Sequence, residues 1–94
     1  MYARVVRFTD VTPERIAEID DRVKEEQGPP PDVPAKSMRM IADEDQKTAV
    51  VVFFFDSEED MRKADVALNE MDSSETPGTR ASVDQGEVKM STDA

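Results

Sequence analysis

An α+β domain running strand, helix, strand, strand, helix, strand is the fold class this sequence predicts, on three observations. The first is Ala49-Val50-Val51-Val52-Phe53-Phe54-Phe55, a β-branched and aromatic run without charge, closed by Asp56-Ser57. It reads as a strand covered on both faces, because a strand with one wet face alternates apolar and polar residues. The second is a pair of helix starts, Thr12-Pro13-Glu14 and Ser57-Glu58-Glu59-Asp60, each followed by apolar residues at three- and four-residue spacing. The third is a set of Gly-, Pro- and Asp-rich connectors that separate these segments from three further strand candidates.

Length and composition set the frame. Residues 1–94 make a single domain, and a chain this short removes only about two thirds of its unfolded surface from water. The absence of cysteine and histidine removes disulfide and thiolate chemistry, His/Cys zinc sites and the commonest acid/base group. No metal and no cofactor is expected. The net charge of −10, from 22 acidic against 12 basic residues, repels nucleic acid and anionic membranes. No window approaches the ~18 apolar residues of a membrane span, and the opening Met1-Tyr2-Ala3-Arg4-Val5 is too short an apolar run for a signal peptide. The expectation is an acidic cytoplasmic protein.

The first strand is Tyr2 to Thr9, with Tyr2, Arg4, Val6 and Phe8 on one face and Ala3, Val5, Arg7 and Thr9 on the other. Each face carries one arginine, which reads as a snorkelling edge or rim residue before it reads as an anion ligand. The first helix starts at the Thr12 cap with Pro13 at the first helical position, Val11 and Ile16 forming the staple. Its apolar stripe, Ile16, Ile19 and Val23, is narrow enough to leave space beneath it for a ligand. Gly28 supplies a left-handed C-cap, and Pro29, Pro30, Pro31 and Pro34 make a stiff spacer.

The second strand covers Ala35 to Ala42, with Met38 and Met40 on one face and Ser37, Arg39 and Ile41 on the other. Asp43 to Lys47 is a solvated turn that pairs this strand with Ala49 to Phe55 as a hairpin; it lacks the glycine and ligand spacing of a calcium loop. In the second helix Met61, Ala64, Leu68 and Met71 form a soft apolar face, core packing or the wall of an adaptable pocket. Ser73 to Gly78 connects to a last strand over Thr79 to Gln85 and beyond. There the apolar phase slips between Ala81/Val83 and Val88/Met90, and a bulge is expected at Gly86. Ser91 to Ala94 reads as a frayed tail.

This order of elements is that of the ferredoxin-like βαββαβ fold, a four-stranded antiparallel sheet whose first and third strands are central. Right-handed crossovers put both helices on one sheet face and leave the other bare. Burying three large side chains of the apolar run there is worth roughly 5 to 9 kcal/mol gross, so a homodimer formed sheet to sheet is expected.

Val5-Val6-Arg7-Phe8-Thr9 leading into Thr12-Pro13-Glu14, Phe55 to Met61, and Ser82 to Val88 together resemble the dimeric α+β barrel superfamily, and especially its antibiotic biosynthesis monooxygenase-like (ABM-like) members. The resemblance spans nearly the whole chain, but its carriers are capping and strand features rather than a motif tied to a reaction. It implies a sheet-to-sheet dimeric barrel with a pocket between each sheet and its helices, and an activity such as cofactor-independent monooxygenation. Matched to the haem-degrading branch of that superfamily, this chain has Val6 in place of the asparagine and lacks the tryptophan and histidine altogether, so haem degradation is not expected.

On the same match Tyr2, Arg4, Val6 and Phe8 face the pocket and Arg7 faces the dimer, with Met61 and Leu68 lining the pocket from the second helix. Tyr2 and Arg4 would stabilise a phenolate or enolate, with Asn69 as a further donor. Two readings stand: a small cofactor-free monooxygenase-like enzyme acting on a hydrophobic, ionisable molecule, and a non-catalytic small-molecule-binding or structural homodimer.

Overall fold

A computed structural model describes residues 1–28, 32–70 and 76–92. The elements are β1 (Tyr2–Thr9), α1 (Pro13–Glu26), β2 (Ser37–Asp43), β3 (Thr48–Phe55), α2 (Glu58–Asn69) and β4 (Thr79–Glu87). The four strands form one antiparallel sheet in the order β2-β3-β1-β4, consistent with a ferredoxin-like α+β fold. The apolar run therefore lies inside the sheet, between β2 and β1, and is the strand richest in core side chains. Pro29, Pro30, Pro31, Met71 and the end of the expected tail lie outside the described residues.

Both helices lie over the face that carries Val6, Phe8, Val51 and Phe53. On β3 burial alternates: Ala49, Val51, Phe53 and Phe55 are buried, while Val50, Val52 and Phe54 are half-buried on the open face. Burial on both faces, as the run suggests, is thus complete on the helix side alone within one chain. Across β1 the core continues through Val6 and Phe8, and Val11 and Val33 close it from the connecting segments.

The caps form as their residue types dictate. Thr12 Oγ1 accepts the Arg15 backbone N–H at 3.2 Å, and Ser57 Oγ accepts that of Asp60 at 3.1 Å. The C-cap of α1 corrects the expectation: Gln27 takes the left-handed conformation (φ 59°), and Gly28 follows at φ 148°, which no side chain tolerates well. Both amides return to the Val23 carbonyl, so the helix stops one residue earlier than a Gly28 cap would place it. In the hairpin, Asp43 Oδ1 accepts from the amides of Asp45 and Gln46, and Lys47 at φ 57° completes the reversal.

The bulge in β4 also differs from expectation. Val6 pairs with Val83 and Arg7 with Ser82, but Phe8 pairs with Arg80, so the extra residue is Ala81. Gly86 sits in regular register opposite Ala3. The strand ends at Glu87, Met90 is 84 % exposed, and no second apolar pair needs accommodating in the sheet. At the other end, a side chain at Gly78 would collide with the Thr9 carbonyl oxygen, so glycine lets the chain enter the sheet tight against β1. Among the described residues no helix is long and apolar enough to cross a membrane.

Candidate functional site

The covered sheet face divides into a closed half and an open half. In the closed half α2 presses Met61 and Ala64 into the core with Phe55, which stacks with Phe53 at 6.5 Å between ring centroids. Tyr2, paired with Phe55 across the sheet, packs against this closed half. Neither Tyr2 nor Met61 is among the residues that line the cavity under α1.

The other half lies under α1, which buries no residue fully. Its apolar positions are spaced for a narrow stripe, and near its start Ile16 packs against the core and Arg15 Nε donates to the Thr76 carbonyl at 3.0 Å. Between α1 and the sheet lies a cavity of about 450 Å³. Val6, Phe8, Val51 and Phe53 form its floor and Met38 and Met40 one wall. Ile19 and Val23 face it from α1, and Leu68 from α2. The volume lies in the range of small-molecule sites, ~300–1,000 Å³, and the body is apolar as such sites are.

One end is polar. Arg4 is a core residue, 2 % exposed, on a central strand, and its cationic head is held by α2. Its Nε donates to Asp65 Oδ1 at 3.2 Å and its Nη2 to Asn69 Oδ1 at 3.2 Å. Burial pulls the Arg4 guanidinium below its ordinary pKa, the Asp65 carboxylate opposes this, and the charge of Arg80 adds to the lowering. Arginine stays charged under these influences. The edge or rim placement that suits an arginine in a strand is therefore wrong for Arg4, which is buried because a carboxylate and an amide meet it. Arg7, on the same central strand, is exposed on the open face.

Asn69 lines the cavity although its own surface is largely exposed. Its Oδ1 accepts from two guanidiniums, Arg4 and Arg80, the latter at 2.7 Å from Nη1. The donor role expected of Asn69 thus falls to its amide nitrogen, while its oxygen ties the arginines together. Arg22 and Glu26 of α1 complete the charged lining.

Five of the residues singled out from the sequence, Arg4, Val6, Phe8, Leu68 and Asn69, meet in this cavity. Arg80 was not among them. Its signal in the sequence is the phase slip of the last strand, which a bulge at Gly86 would absorb with Arg80 left on the open face. No protein-family model matches the chain, and no curated protein matches it.

Proposed function

We propose that this chain binds a small, mainly apolar, ionisable molecule between its sheet and α1, as one subunit of a homodimer joined through the open sheet faces. The observation that carries the reading is the 450 Å³ apolar cavity ending at Arg4 and Asn69. A merely structural dimer whose pocket is filled by its own side chains would have no such space. The dimer is supported by the open face itself. Val50, Val52 and Phe54 are only half-covered there, and Ile41 is 64 % exposed beside them. Covering what remains of the three β3 side chains is worth roughly 2 to 5 kcal/mol gross, below the value for fully exposed residues because neighbouring strands already shield part of them.

The experiment is a fluorescence titration with N-phenyl-1-naphthylamine, a neutral apolar probe that brightens when it leaves water. The wild type is expected to bind it saturably, and Met40→Trp, which fills the cavity from β2, to weaken it at least about tenfold. Identical titrations for the two proteins would overturn the reading.

A second reading, cofactor-free oxygenation, is favoured by Arg4 and by the resemblance to ABM-like proteins. A guanidinium at the end of an apolar pocket would stabilise the phenolate or enolate of a bound substrate. That carbanion-like species takes up oxygen at an activated methylene, one oxygen atom staying as a carbonyl and the other leaving as water with the two displaced hydrogens. Oxygen uptake with an anthrone-type phenol, lost in Arg4→Met, would support it.

A further inference from the structure

The bulge at Ala81 decides which way Arg80 faces. Side chains of directly paired residues share a sheet face, and Arg80 pairs with Phe8, whose ring forms the cavity floor. In a regular ladder Ala81 would stand opposite Phe8, and Arg80 opposite Thr9, whose side chain points to the other face. One inserted residue thus turns a cation from the open face onto the cavity, a common use of bulges near binding sites.

The charge found there is the opposite of the molecule's. The chain has 22 acidic residues, yet Glu26 is the one acid lining the cavity among the described residues. Three of the seven arginines, Arg4, Arg22 and Arg80, line it. Arg4 is committed to Asp65 and Asn69, whereas Arg80 is exposed and among the described residues holds only a neutral amide oxygen at 2.7 Å. Asn69 can release Arg80 without leaving a buried charge behind, so its guanidinium is available to a ligand.

We infer that Arg80 is the residue that selects the ligand's charge, and that the cavity takes an apolar molecule bearing a single negative group, its head against Arg80 and its body over Phe8 and Val51. This rests on the reading of the cavity as a ligand site. Arg4 shares the Asn69 oxygen with Arg80 but has its own counter-charge in Asp65, so Arg80 is the guanidinium of the two that an anion relieves. The strongly acidic remainder of the surface repels the same ligand everywhere else, which confines binding to this spot.

The test uses two probes with one aromatic body, 1-anilinonaphthalene-8-sulfonate and neutral N-phenyl-1-naphthylamine. Wild type is expected to bind the sulfonate about tenfold more tightly than the neutral probe, despite the net charge of −10. Arg80→Met should remove that preference while leaving the neutral probe within about twofold, which also shows that the variant is folded. Arg62→Met, removing an exposed arginine on α2 that pairs with Glu58, should change neither. The inference is overturned if wild type binds both probes alike or if Arg80→Met weakens both equally. If instead the neutral probe fails to bind wild type, or is indifferent to Met40→Trp, the cavity reading itself falls and this inference with it.

Discussion

Arg4 carries a charge into a place where an unpaired charge cannot remain, and the consequence can be measured. Its partner Asp65 is 28 % exposed at the side chain, so the two ends of the pair differ in how well they survive alone. Arg4→Met leaves Asp65 a carboxylate that water reaches, and a loss of about 1 kcal/mol is expected. Asp65→Asn leaves a buried guanidinium without its counter-charge, and the loss should be larger, about 2–3 kcal/mol, below the full value for a buried pair because Asn69 still accepts from it. Urea midpoints give both, and a larger loss in Arg4→Met would contradict the assigned roles. The sequence brought Arg4 and Asn69 forward, but it contains no sign that they share an oxygen with Arg80. That contact spans β1, α2 and β4 and depends on one inserted residue in the last strand.

The two helices do different work. α2 buries Met61 and Ala64 and is continuous with the core, whereas α1 is held at its start and stands over a cavity. Amides of α1 beyond its first turn should exchange through local openings, well before those of β1, β3 and α2, which should follow global unfolding. Saturating probe should slow α1 selectively, because the ligand replaces the packing that the helix lacks. Hydrogen exchange by mass spectrometry reads both, and uniform protection across the two helices would count against the division. Most element positions were legible because caps and periodicity are local: Thr12, Ser57 and the run to Phe55 mark their own boundaries. The bulge was not, because locating it at Ala81 rather than Gly86 requires knowing that Gly78 enters the sheet tight against Thr9 and that β4 stops before Val88.

At the scale of the whole molecule, the sheet's two faces differ. The helix face holds the cavity, and the open face carries the half-buried Val50, Val52 and Phe54 and the exposed Ile41, which we propose meet a second copy. Sedimentation at micromolar concentration should show a dimer, and Val52→Glu, which places a charge at the centre of that face, should yield monomer. A monomeric wild type would remove the dimer from the account. The order of elements made the sheet topology legible. The cavity could be read only as the narrowness of the α1 stripe, since a volume depends on how far a helix stands off. The space beneath α1 is the ligand site we propose. Backbone amide shifts recorded during titration with N-phenyl-1-naphthylamine test it most directly. The predicted result is a set of shifts concentrated at Val6, Phe8, Ile19, Val23, Met40 and Leu68, with Val50, Val52 and Phe54 still; shifts confined to the open face, or none at saturating probe, would contradict it.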